Sequence, residues 1–202
     1  MPVVGKWNRS TWLTYATIGI SCAGMYLAFV LSAYNYAHVF LMLAGICDML
    51  DGFVARACKR TAEEKRYGVE LDSLADTISF VAFPVVIAFA MGAHEIYEVA
   101  ILAFFMLCGV VRLAFFNIHA NGDGPVKYYR GLPVTFTALI LPVAYALISR
   151  FLPGEITSIM YICVMAIIGM LNILDFRVPK PKPKSYIVFI LLAVFMTVVL
   201  LV

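Results

Sequence analysis

Aspartates one helical turn apart, set in otherwise apolar sequence, are the residues of this chain best suited to chemistry. Asp48 and Asp51 lie three apart, and Asp72 and Asp76 four apart, so each pair shares one face of a helix. A carboxylate in a lipid-embedded helix is costly and marks a functional site by default. If the two faces meet, four carboxylates converge, and their repulsion then requires a cation or protonation of one partner. A hard divalent ion such as Mg²⁺ or Mn²⁺ takes oxygen ligands of this kind and keeps positions for phosphate oxygens and water. The competing reading is a helical bundle merely stabilised by paired acids. The rarity of such acids in membrane spans argues against it.

The residues between the pairs narrow the substrate. Gly52 removes a side chain directly after Asp51, and Ala55 keeps the next turn small, which leaves a trough where a flat ligand can lie against the backbone. Arg56 follows on nearly the same face and offers a planar fork to a phosphate. Gly68 leaves room near Asp72. Carboxylates for a metal, a small-residue trough and an arginine fork together point to a pyrophosphate substrate.

The pattern Asp48-x2-Asp51-Gly52-x2-Ala55-Arg56, followed by Gly68-x3-Asp72-x3-Asp76, resembles the signature of the CDP-alcohol phosphatidyltransferases. Those integral membrane enzymes move a phosphoryl-alcohol unit from a CDP-linked donor to a second alcohol. The spacer of eleven residues between Arg56 and Gly68 exceeds the family's usual one. Its extra residues are charged (Lys59, Arg60, Glu63, Glu64, Lys65, Arg66) and are expected to form a longer solvated turn. Two further stretches resemble the phosphatidylserine synthase branch: Tyr67 to Asp76, and Arg112-Leu113-Ala114-Phe115-Phe116-Asn117 with the later Gly131-Leu132-Pro133. Phe115 stands where that branch commonly has a second arginine.

The resemblance implies that the hydroxyl of L-serine attacks the lipid-side phosphorus of CDP-diacylglycerol, or of an ether-linked archaeal counterpart, and that CMP leaves. It implies a metal site of Asp48, Asp51, Asp72 and Asp76, with Asp76 as general base. Asp48, Asp51, Gly52, Ala55, Arg56 and Gly68 would seat the CDP-lipid. Thr14, near the start of the first span, would touch the nucleotide, although bonding back to its own helix is the ordinary fate of such a threonine. Arg112, Asn117 and Arg130 are the candidates for the acceptor. For Arg112 the alternative is snorkelling to headgroups, and for Arg130 an ordinary surface-loop position. The resemblance also implies a homodimer. Within the family, inositol phosphate or glycerol phosphate remain alternative acceptors. Outside it, a cation transporter would use the aspartates as a midplane site.

The elements that must position these residues follow from composition. At 63% hydrophobic and 13% charged over 202 residues, the chain is too apolar for an ordinary soluble domain. Runs of about 20 apolar residues, long enough to cross a bilayer, predict seven spans: 11–33, 36–57, 72–92, 95–116, 131–151, 156–175 and 184–202. The expected architecture is an all-α, polytopic helical membrane protein, a single domain over 1–202, with about seven transmembrane helices around a cytoplasm-facing polar site. With the N-terminus in the cytoplasm, Arg150 alone of the fifteen basic residues falls outside, as the positive-inside rule requires. The net charge of +3 then reflects topology and anionic headgroups, with no nucleic-acid footprint. No cleavable signal peptide is expected, because the first apolar run is too long for one.

The remaining polar features suggest structure more than chemistry. The five cysteines (Cys22, Cys47, Cys58, Cys108, Cys163) show no CxxC spacing and read as packing residues. His38 and His94 fall at outer span ends, away from the acids. His119, with Asn121 and Asp123, reads as a polar loop. No Ser-His-Asp or Cys-His pattern supports a covalent nucleophile. Pro84 is expected to kink span three, with Ser79 or a neighbouring helix meeting the freed carbonyl. The alternating Pro-Lys run from Pro179 reads as an extended basic linker lying against lipid.

Overall fold

In lipid, every backbone N–H and C=O needs an internal partner, and the apolar runs of this chain meet that need as helices. The computed structural model describes Gly5 and residues 8–120, 128–179 and 183–202. After a 3₁₀ turn at Arg9–Thr11 come helices α1 (Trp12–Phe29), α2 (Tyr34–Ala57) and α3 (Ala62–Asp76). A π-helical turn, Thr77–Ala82, joins α3 to α4 (Phe83–Ala90), and α5 (Ile96–Ala120) follows. Strand β1 (Tyr128–Arg130) and a second 3₁₀ turn, Val134–Phe136, lead into α6 (Thr137–Phe151). The chain closes with α7 (Gly154–Ile173), strand β2 (Arg177–Pro179) and α8 (Pro183–Leu201).

Six helical segments among the described residues are long and apolar enough to cross a membrane, and a seventh apolar helix, Tyr186–Leu201, is shorter. The protein is thus an all-α polytopic membrane protein. Two boundaries differ instructively from expectation. Span three begins at Ala62, ten residues early, because Thr61 and Glu64 form a capping box: Thr61 Oγ1 accepts from the Glu64 amide at 3.2 Å and the Thr61 amide donates to Glu64 Oε2 at 2.8 Å. The charged spacer is therefore mostly the solvated first turns of α3 rather than a long turn. Span five begins at Thr137 instead of 131, because the preceding residues form β1 and the 3₁₀ turn.

Helices in lipid gain no hydrophobic drive toward one another, so close approach depends on small residues and shape. Helix α1 buries Thr14, Thr17, Ser21, Gly24 and Ala28, a stripe of small side chains at alternating three- and four-residue spacing that faces α2 and α4. Ser21 donates to Ser79 Oγ at 2.7 Å, joining α1 to the π turn. That turn also corrects the expectation for Pro84. It precedes the proline and shifts the ladder, so that the Phe83 amide bonds to the Ile78 carbonyl. The Ser79 hydroxyl is engaged with α1. On α2, Gly45 faces α6 so closely that an added Cβ would lie 2.8 Å from that of Ala138.

At the far end of the bundle His38 is fully buried. Its Nδ1–H donates to the Tyr34 carbonyl at 2.7 Å, its Nε2 accepts from the Tyr161 hydroxyl at 3.2 Å, and its ring stacks on Tyr145 at 4.2 Å. Remote from the acids, this histidine is satisfied structurally. The described cysteines are all free thiols. Strands β1 and β2 pair antiparallel, Tyr129 opposite Val178, so Pro179 does begin from an extended segment. Residues 180–182 of the basic run, like Asn121 and Asp123, lie outside the described residues.

Candidate active site

Helices α2 and α3 bring their acidic faces together, as their spacing requires. Asp48, Asp72 and Asp76 each offer an oxygen within 4.8 Å of the others. Three full negative charges at that separation repel by roughly 3–4 kcal/mol per pair at an effective dielectric of about 20. Asp76 Oδ1 is buried without a hydrogen-bond partner. An oxygen-only donor set with an orphaned carboxylate oxygen fits a hard divalent cation. Asp51 stands one step out: it faces Asp72 and accepts from Thr14 Oγ1 at 3.2 Å. The expected convergence of four acids is thus a triad with Asp51 at its flank, and Thr14 is engaged with that aspartate instead of its own helix.

The acids line a cavity of about 350 Å³ with Gly52, Arg112 and Asn117. Arg112, only 8% exposed, lies beside Asp76 and Tyr129, its Cζ 6.0 Å from the Phe116 ring centroid. Its Nε has no partner, so this arginine is turned inward and does not snorkel. Asn117 accepts from Ser73 at 2.7 Å, which ties α5 to α3 despite the 140° between Asn117 and Arg112 on an ideal helix. The rest of the lining is largely apolar, with Met42, Ile46, Leu139 and Phe189 among its residues, and it reaches α8, where Phe189 meets Phe136 edge-on at 5.7 Å.

Ala55, Gly68 and Arg130 are not among the residues that line this cavity. Ala55 is half-buried one turn beyond Gly52 on α2. Arg56 belongs to the same helix, and its side chain lies outside the described residues, as does that of His119. Gly68 sits against Arg60, whose Nη1 would lie 3.5 Å from an added Cβ. Arg130 is on β1, exposed, and paired with Asp175 at 3.7 Å. Sequence reading missed Thr135 and Tyr129, which line the cavity. Thr135 lies beside Asp48, and its signal was its place just after Gly131-Leu132-Pro133.

A family model described as CDP-alcohol phosphatidyltransferase matches residues 7–199. This chain belongs to that family. A CDP-diacylglycerol–serine O-phosphatidyltransferase of Saccharomyces cerevisiae is 46% identical over 54% of this chain and 41% of its own length. Proteins of the same name from Helicobacter pylori and Methanocaldococcus jannaschii are 32% and 34% identical. They are matched over 87% and 80% of this chain and over 76% and 70% of their own lengths. The chain therefore spans less than half of the yeast relative and most of the other two. For this CDP-alcohol phosphatidyltransferase the reading of the aspartates as a transport site is set aside.

Proposed function

We propose that this CDP-alcohol phosphatidyltransferase transfers the phosphatidyl group of a CDP-diacylglycerol-type lipid, ester- or ether-linked, to the hydroxyl of L-serine, with release of CMP. The observation that carries the reading is one cavity whose lining combines an acidic triad, a buried arginine and many apolar side chains. A pyrophosphate, lipid tails and a small acceptor with a carboxylate each find their chemistry there. The serine names of the relatives support the acceptor.

Asp48, Asp72 and Asp76, with Asp51 at their flank, would hold Mg²⁺ or Mn²⁺, which would supply charge neutralisation for the pyrophosphate and the departing CMP. Asp76 takes the proton of the serine hydroxyl through whichever carboxylate oxygen the ion leaves open. Arg112 receives the serine carboxylate, which needs a cationic partner once it leaves bulk water. Gly52, Ala55, Arg56 and Gly68 seat the nucleotide, and Thr14 holds Asp51 in place. The charge distribution supports an active site and an N-terminus on the cytoplasmic side. The resemblance of the family motifs supports a homodimer.

The test is CMP release from labelled CDP-diacylglycerol by purified protein in lipid nanodiscs, with serine, glycerol phosphate or inositol phosphate offered separately. Release is expected with serine, abolished by chelator and restored by Mg²⁺ or Mn²⁺. Preference for a phosphorylated acceptor would replace serine in this reading. Full turnover in excess chelator would remove the metal.

A further inference from the structure

A second cavity, of about 200 Å³, lies beyond Arg112 and contains Asn172, Arg130 and Asp175 in its wall. Arg112 lines both cavities and so forms the partition between them. Asn172, the second-to-last residue of α7, is 3% exposed, and neither its Oδ1 nor its Nδ2 has a hydrogen-bond partner. A buried amide left without partners is costly, and one that borders a cavity meets its requirement through what enters there. At the rim, Arg130 Nη1 and Asp175 Oδ2 lie 3.7 Å apart, with side chains 63% and 71% exposed. That separation exceeds a hydrogen bond, so each charge is open to a second partner.

We propose that this cavity is a waiting site for the amino-acid acceptor, from which serine passes Arg112 into the reaction cavity. The inference rests on the serine reading of the reaction and extends it. The chemistry recognised is an ammonium and a carboxylate on one small carbon frame. Arg130 meets the carboxylate, Asp175 the ammonium, and the Asn172 amide, with two donors and an acceptor, meets whichever end lies deepest. A plain anion would find Asp175 against it and an uncharged amide at the bottom. A zwitterion finds both signs answered. The position of Arg112 then gives the carboxylate a continuous cationic path from the surface to the acids, since its guanidinium borders both spaces.

The same ammonium and carboxylate occur on the headgroup of the serine lipid formed by the reaction, and the experiment separates the two sources. Asn172→Leu removes the amide and keeps the branched shape, and Asp175→Asn alters the exposed rim without touching the core. Serine titrations at saturating CDP-lipid are run on both, alongside inhibition by added product lipid and CDP-lipid titrations. We expect the half-saturating serine concentration to rise about tenfold in Asn172→Leu and roughly threefold in Asp175→Asn. Turnover at saturating serine, CDP-lipid half-saturation and product inhibition should stay near wild type. If Asn172→Leu does not fold, Asp175→Asn and Arg130→Gln carry the comparison. An unchanged serine requirement in the variants overturns the proposal. So does a fall in turnover with no change in that requirement, which is what a purely structural asparagine would give. Weakened product inhibition with a normal serine requirement would assign the cavity to the product headgroup instead. Wild-type protein that releases no CMP with serine would instead fail the serine reading itself, before any variant is compared.

Discussion

Asp76 faces the narrowest demands of any residue in the cavity. It must share a triad with two other acids, sit beside Arg112 and leave Oδ1 unpaired. Asp76→Asn preserves size but removes the charge and the proton acceptor. Turnover should fall by a factor of about 10² to 10⁴, while CDP-lipid binding, followed directly on nanodiscs, persists. Near-normal CMP release would take the base role from this residue. Thr14→Val should be milder. It deletes one hydrogen bond to a charged partner, worth about 1.5–3 kcal/mol, and the CDP-lipid requirement should rise about tenfold; an unchanged requirement would leave the Thr14–Asp51 bond with no part in binding. The acid pairs were legible because three- and four-residue spacing is local. Ser73 with Asn117, and Asp48 with Thr135, were not. Those partners are far apart in sequence and meet only after α5 and α6 have packed.

The elements show the same division between local and distant causes. Helix length and apolar content announced the spans, and Thr61-x-x-Glu64 was a readable start signal for α3 that the apolar pattern overshadowed. The antiparallel pair β1–β2 had no such signal: three residues on each side carry no periodicity. What holds it in place is Gly131, at φ +69°, where a Cβ would lie 2.6 Å from the Asn172 carbonyl oxygen. Its amide donates to the Phe176 carbonyl at 2.9 Å, and that of Leu132 to Leu171 at 2.9 Å. Gly131→Ala should cost roughly 1–3 kcal/mol of backbone strain and displace the segment that carries Tyr129 and Thr135. Thermal unfolding in detergent should drop, together with activity. A variant as stable and active as wild type would mean that the segment relaxes freely.

Across the whole molecule, the cavity collects the last turns of α2 and of α3, the end of α5 and the segment before α6. Three crossings separate the α2–α3 connection from the α6–α7 connection, so the two lie at opposite ends of the bundle. The basic residues cluster with the former. Cysteines introduced for Lys59 and for Leu152, in a background without the native thiols, should report this with an impermeant maleimide on intact cells. Position 152 should react at once and position 59 only after permeabilisation. The reverse pattern would invert the orientation drawn from the charges.

The π turn between α3 and α4 acts as a phase setting. A π turn accommodates one residue more than the α-helix around it, and one residue is about 100° of rotation. It therefore fixes the angle between the acidic face of α3 and the buried face of α4, with Phe83 and Ile87 keyed into the core. Were Thr77–Ala82 shortened by one residue into a regular helix, the lipid-side half would stay keyed and the acids would swing by about 100°, away from Asp48. The acidic face is thus indexed to the core by a single surplus residue, as a gear is indexed by one tooth.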